Sequence, residues 1–215
     1  MSATAPQRRY AKRLPPAERR EQILDAALHL IVEQGFPAVS MEAVARAAGV
    51  AKPVVYDFFA NRGELMAALL EREEERALEG LAGVVPELPF GEALDPDTYL
   101  VRGMTAWLRA VQENPDTWRV IMLPVEGTPA VLRENVDSAK ARAREALEAF
   151  VAWATAQRGG PEGLDVEAAA HMIQAVAERA AALVLTEPEL YSPERLASFC
   201  EQVLAALSRG VERPS

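Results

Sequence analysis

Cysteine is almost absent: Cys200 stands alone among 215 residues. That excludes an intrachain disulfide and suits a reducing compartment, so a cytoplasmic protein is expected. Cys200 falls in the apolar pattern of the last helix, where a small buried hydrophobe is expected and a redox-active thiol is the alternative. Only two histidines occur, His29 and His171, neither at a metal-ligand spacing, so no metal is expected. There is no G-x-S-x-G elbow and no glycine-rich phosphate loop, and no cofactor is implied. The chain is not read as an enzyme; a Cys200–His171 nucleophile pair would need a fold to which nothing else in the sequence points. No uncharged stretch reaches the roughly 18 residues of a membrane span, so no membrane partner is expected. The start, MSATAPQRRYAKRLPP, is positively charged but has no apolar centre, unlike a secretory signal. No strand pattern appears.

Half of the residues are apolar, enough for a sizeable core in one domain or two. A net charge of −9 argues at first against a nucleic-acid partner, but its distribution reverses that. Residues 1–62 carry nine lysines and arginines against six acids, a net of +3; residues 63–215 carry 14 against 26, a net of −12. A basic head on an acidic body is the footprint of a protein that presents one end to DNA. Residues 1–15, with Arg8, Arg9, Lys12 and Arg13, form a polar arm expected to be flexible. It either follows phosphates and enters a minor groove, or is a solvated tail.

Residues 40–65, SMEAVARAAGVAKPVVYDFFANRGEL, read as two short helices joined by a tight turn. Ser40 is a good N-cap, and Met41, Val44, Ala45 and Ala48 follow at helical spacing to make one apolar face. Gly49 supplies the permissive backbone of a helix stop. The second helix is expected from near Pro53, with Lys52 held extended ahead of it. Val50, Val55 and Phe59 then point inward, leaving Lys52, Pro53, Val54, Tyr56 and Asp57 outside. This is the helix-turn-helix geometry that reads a major groove. Ahead of it, a helix over 16–34 carries the core stripe Ile23, Leu24, Ala27, Leu30 and Ile31, and Gly35 ends it.

The helix ERREQILDAALHLIVEQGF, then S-M-E-A-V-A-R-A-A-G-V, then V-Y-D-F-F-A-N-R-G-E-L match in order and spacing the N-terminal signature of the TetR-type transcriptional regulators. Residues 17–66 thus resemble that family. The resemblance implies a phosphate contact for Tyr56, and for Arg62, standing at the family's lysine position, a phosphate shared with the start of the next helix. It also implies repression as the default and a dimer interface made by the last two helices. Residue chemistry adds the rest: Lys52 suits a phosphate or a guanine edge, Ser40 a phosphate beside its capping role, and Pro53 and Val54 a thymine methyl. Asp57 either accepts from a cytosine amino group or repels the backbone. Three departures stand out, of which Asp57 is one. Ala51 lacks the small hydroxyl usual in the family, and Phe58 replaces a histidine or other polar ring. A single half-site grips few phosphates, so a homodimer on a near-palindromic double-stranded operator is expected.

Beyond the head, a helix from about Gly63 to Gly80 carries EREEER, read as a solvated face, and an irregular link occupies 81–96. Asn114-Pro115, Thr128-Pro129 and Ser192-Pro193 then repeat one start signal, a capping side chain before proline. Helices are expected over 97–113, 115–123, 129–158, from Asp165 to about Leu185, and from Pro193 to about Ser208. The fold class is all-α with about nine helices. It comprises an arm over 1–15, a three-helix helix-turn-helix DNA-binding domain over 16–62, and a helical effector-binding and dimerisation domain over 63–215. The helix after Asp165 is apolar on more than one face, and Leu196, Phe199, Cys200, Val203, Leu204 and Leu207 recur along the last. A four-helix interface between two copies is expected, with an intrachain core as the alternative. Met104, Trp107, Leu108 and Val111 form one stripe and Trp118, Ile121 and Met122 another; Phe150 and Met172 close the space. These define a candidate site for a small, largely apolar effector, with His171, Glu126, Arg133, Gln174 and Glu178 as candidate polar contacts. Two functions follow: a repressor released by an effector, or a constitutive dimeric DNA-binding protein without one.

Overall fold

The computed structural model describes residues 14–81, 95–158 and 163–211. Nearly all of the arm at 1–15 and of the link at 81–96 lies outside them. Among the described residues there is no strand, and the helices run α1 (Pro16–Gln34), α2 (Met41–Ala47), α3 (Lys52–Tyr56), α4 (Arg62–Leu81), α5 (Pro96–Glu113), α6 (Pro115–Met122), α7 (Ala130–Arg158), α8 (Val166–Thr186) and α9 (Pro193–Val211). Contacts divide the chain into two compact units. The head runs to Arg72 and includes Val125–Thr128; the body comprises Glu73–Pro124 and the chain from Pro129 onward.

The head is built on α1, whose Ile23, Leu24, Ala27 and Ile31 are buried. Its last turn closes when the Gly35 N–H donates to the Ile31 carbonyl at 2.8 Å. A single 3-10 turn, Phe36–Ala38, follows, an element the sequence pattern did not suggest. Ser40 caps α2: its hydroxyl oxygen accepts the Ala43 N–H at 3.1 Å. The α1 side chain Gln22 donates to the Ala48 carbonyl at 2.8 Å, satisfying a carbonyl that the end of α2 leaves open. Helix α3 starts at Lys52, one residue ahead of expectation, and Ala51 at its cap makes no side-chain bond. Asn61 accepts the Glu64 N–H at 3.0 Å and Glu64 accepts the Ala60 N–H at 2.7 Å, a reciprocal cap on α4.

The EREEER run is not one solvated face. Six consecutive residues exceed a 3.6-residue turn, so some must face inward. Arg72 and Glu73 are buried. Within the head, Arg72 donates to Glu21 at 3.0 Å and to Asp25 at 2.8 Å. Within the body, Glu73 accepts the Thr117 hydroxyl and faces Arg76 at 3.5 Å.

In the body, α8 packs against α5, α6 and α7, and α5 also packs against α9. The core joins Met104, Leu108 and Val111 of α5, Trp118 of α6 and Ala180, Ala181, Val184 and Leu185 of α8. Three helices have side-chain caps: Asp95 on α5, Asp165 on α8 and Ser192 on α9. Asn114 and Thr128 do not act as the sequence pattern suggested. Asn114 makes no side-chain cap on α6, and its own N–H ends α5 on Ala110. Thr128 instead donates its hydroxyl to the Val125 carbonyl at 2.7 Å. Helix α8 is long and apolar enough to cross a membrane by length and composition. It nonetheless carries Glu178, paired with Lys140 of α7 at 3.0 Å.

The four-residue turn Val125–Thr128 is docked tightly within the head. The Phe36 N–H donates to the Glu126 carbonyl at 3.0 Å. Gly127 has φ +71°, and a Cβ there would lie 2.8 Å from Pro37 Cδ; Gly49 has a similar φ, +67°, with nothing within 4 Å of its Cβ position. Gly49→Ala should therefore cost only the left-handed backbone penalty, about 1 kcal/mol. Gly127→Ala should add an overpacking cost of about 1–3 kcal/mol. Urea unfolding of the two variants measures the difference, and equal losses would show that the turn is not held against Pro37.

Candidate functional site

Helices α2 and α3 pack together with a turn at residues 48–51 between them. Val55 and Phe59 are buried, while Lys52, Pro53, Tyr56 and Asp57 are exposed and Val54 is half-buried. The five residues that the sequence placed outside α3 thus share one short segment. Arg20 of α1 lies 5.5 Å from the centre of the Phe59 ring, so the inner side of this segment is held by packing and a cation–π contact.

Lys52 forms an ion pair with Glu42 of α2, and its ammonium lies 5.9 Å from the centre of the Tyr56 ring. The hydrogen bond from Lys52 holds the Glu42 carboxyl below the usual carboxylate range, helped by the Lys52 charge and by Arg46. The same hydrogen bond pushes Lys52 up. A carboxyl whose folded value is lowered keeps its contribution above the ordinary carboxylate range and loses it as the pH falls through the lowered value. The pair is therefore intact at neutrality.

Arg62 has a different place from the other cations. Its Nε donates to the Val39 carbonyl at 2.7 Å and one terminal nitrogen donates to the Phe36 carbonyl at 2.9 Å. Two arms of the guanidinium thus close the chain between α1 and α2. Ser40 spends its acceptor on the α2 cap and keeps its O–H as a donor.

Two residues on this face were missed from sequence. Glu42 and Arg46 are exposed and lie four apart on α2, opposite buried Val44 and Ala45. That spacing puts them on one helix face and was the available signal. Arg46 has no hydrogen bond among the described residues.

In the body, Met104, Leu108 and Trp118 are buried in one cluster, with Trp107 and Met122 packed against it. Trp107 and Trp118 meet edge to face, 4.7 Å between ring centres, and donate their N–H groups to the carbonyls of Ala177 and Ala110. Phe150 belongs to a second ring group, 5.8 Å from Trp153, which in turn meets Tyr99 at 5.3 Å. His171 and Met172 are exposed on α8. Arg133 is exposed, Glu126 lies in the turn docked within the head, and Gln174 and Glu178 are half-buried and bonded to each other and to α7 through Lys140.

A three-helix head whose short third helix turns polar and basic side chains outward is a helix-turn-helix DNA-binding unit. The protein-family model for bacterial regulatory proteins of the tetR family matches residues 23–69. The HTH-type transcriptional activator FasR of Mycolicibacterium smegmatis is 41% identical over 73 residues, 34% of this chain and 33% of that protein. The chain thus matches about a third of that relative's length. A TetR-like transcriptional regulator from Rhodococcus sp. RHA1 superposes with a TM-score of 0.64 at 28% identity, covering 90% of this chain and 99% of that one. The transcriptional regulator FadR from Bacillus subtilis, solved in complex with stearoyl-CoA, shares the fold with a TM-score of 0.59 at 19% identity, covering 86% and 96%. Residues 23–69 thus carry the DNA-binding segment of the tetR-family regulators, and the chain has the fold of a TetR-like transcriptional regulator.

Two outcomes follow from the side-chain placements. Arg62→Ala should cost about 1.5–3 kcal/mol of head stability, because two carbonyls lose a charged donor. Arg62→Lys should restore less than half, since an ammonium cannot reproduce the fork. Amide exchange over residues 36–66 reads this; unchanged protection with weakened DNA binding would assign Arg62 to phosphate instead. Burial pushes the Cys200 thiol up. Alkylation at pH 8 should therefore be slower in the folded chain than in urea, and equal rates would mark an accessible, reactive thiol.

Proposed function

We propose that the protein is a homodimeric repressor that binds a near-palindromic operator and is released by a small, largely apolar effector. The observation that carries the DNA half of this reading is the α2–α3 unit, with Val55 and Phe59 buried and Lys52, Pro53 and Tyr56 exposed beside them. Lys52 and Tyr56 supply phosphate or base-edge contacts, Ser40 offers its O–H to a phosphate, and Pro53 and Val54 offer apolar surface to a thymine methyl. Asp57 selects against bases without an amino group to donate. Arg62 contributes through whatever donors its two carbonyl bonds leave. The arm at 1–15, with Arg8, Arg9, Lys12 and Arg13, adds salt-sensitive attraction.

The body, residues 63–215, is read as the effector-binding and dimerisation domain. Met172 and Val176 on α8 and Phe199 and Val203 on α9 are large apolar side chains left 40–66% exposed. Each pair is four residues apart and so lies on one side of its helix. A second copy would cover both helices, and this explains the length and apolarity of α8 better than a membrane does. The effector is read as binding near the Met104, Trp107, Leu108, Trp118 and Met122 group, with Phe150, from the separate ring group, as a further candidate contact. The stearoyl-CoA held by the Bacillus subtilis regulator suggests a long acyl chain as the first candidate. Such an effector acts only through its preference between two states of the protein, one with recognition helices at the groove spacing and one without. Release from DNA on effector binding makes repression the simpler sign of regulation, in a bacterial cytoplasm.

Selection of duplexes from a random pool at about 150 mM salt tests the reading. One enriched near-palindrome is expected, and enrichment of none would overturn it. A palindrome whose binding no acyl-CoA or other apolar compound weakens would favour the constitutive binder. Val176→Glu with Phe199→Glu should give monomers by sedimentation and weaken operator binding at least tenfold; a dimer that persists would place the interface elsewhere.

A further inference from the structure

Attraction to phosphate does not explain the charge order on the α2–α3 face. Glu42 stands between two cations: Arg46, one turn along the same helix, and Lys52, which bonds its carboxylate directly. The side chains of Lys52 and Glu42 are 49% and 70% open to solvent. An exposed pair of this kind adds little to stability. On a face that only gripped phosphates the carboxylate would subtract from every contact its neighbours make. It does, however, keep a donor and an acceptor side by side in fixed order, both ionised at neutrality, with the ammonium steadied over the Tyr56 ring.

A G·C pair offers the complement of that order in the major groove. Guanine presents N7 and O6 as acceptors, and the cytosine N4 amino group beside them donates. O6 and N4 are hydrogen-bonded to each other, about 2.9 Å apart, and Lys52 and Glu42 are likewise in hydrogen-bond contact. We infer that Glu42 and Lys52 together read one G·C pair in each half-site, guanine beneath the ammonium and cytosine beneath the carboxylate. The reversed pair sets the amino group against the ammonium and O6 against the carboxylate. A T·A pair offers thymine O4 to Lys52 and the adenine N6 amino group to Glu42 in the same order, so its rejection rests on the methyl that replaces guanine N7 and on adenine N7, which faces the carboxylate. Glu42 is therefore a specificity-determining residue on the first helix of the motif, and this inference rests on the DNA-binding reading above.

The test is duplex selection with the full chain in three forms: wild type, Glu42→Gln and Glu42→Ala, each checked for unchanged helicity and melting. The wild type should fix one G·C pair at the same position of both half-sites. Both variants should lose that preference about tenfold while keeping the remaining positions. Wild-type operators with no fixed G·C pair, or variant operators identical to the wild type's, would overturn the inference and leave the repressor reading intact. An affinity change of equal size on every duplex would also overturn it, assigning Glu42 to the backbone. Enrichment of no duplex by the wild type would sink the DNA-binding reading and this inference with it.

Discussion

A helix of five residues makes little more than one turn and cannot hold its shape in water. Everything proposed for the DNA-facing end therefore depends on how α3 is held from behind. Val55 and Phe59 anchor it, fully buried, and neither has a spare polar group to satisfy. The N-terminal cap gives no help, because Ala51 has no oxygen to offer. Pro53, already set at a helical φ, lowers the cost of forming the turn instead. The reading surface is thus a product of core packing, and its rigidity is that of the head's interior.

The head also uses its cations differently from what net charge suggests. Arg62 is tied to two carbonyls, Lys52 to Glu42, and Arg72 to Glu21 and Asp25. Arg20 lies against Phe59, and Arg19 donates to Gln22. Of the nine lysines and arginines in residues 1–62, four stand in the arm, and Arg46 is the one in the folded part with no hydrogen bond, ion pair or ring contact among the described residues. The cations of the folded part thus serve mostly structural contacts.

Much of this was legible from local pattern. The α1 stripe, the Ser40 and Asp165 caps and the Gly35 and Gly49 stops are set by residues within a turn or two of each other, and helical periodicity records them. The facing of α3 was legible for the same reason. What could not be read were the links across the chain. Lys52 meets Glu42 ten residues away, Arg62 reaches carbonyls 23 and 26 residues back, and Arg72 finds Glu21 and Asp25 at separations of 51 and 47. No period encodes such pairs. The EREEER run misled because charge predicts exposure only while a partner is lacking, and Arg72 and Glu73 each have one. The Thr128 hydroxyl misled because it served its own turn.

Separation of attraction from discrimination follows from these placements. A face that contains Glu42 and Asp57 beside few open cations attracts a polyanion weakly, so random DNA gains little from it. On the DNA-binding reading proposed above, the same face offers groups that distinguish base edges: a carboxylate, an ammonium, a tyrosine ring and apolar surface at Pro53 and Val54. On that reading, tight non-specific binding is exchanged for a larger ratio between operator and the rest of the chromosome, and such a ratio decides occupancy when competing sites number in the millions.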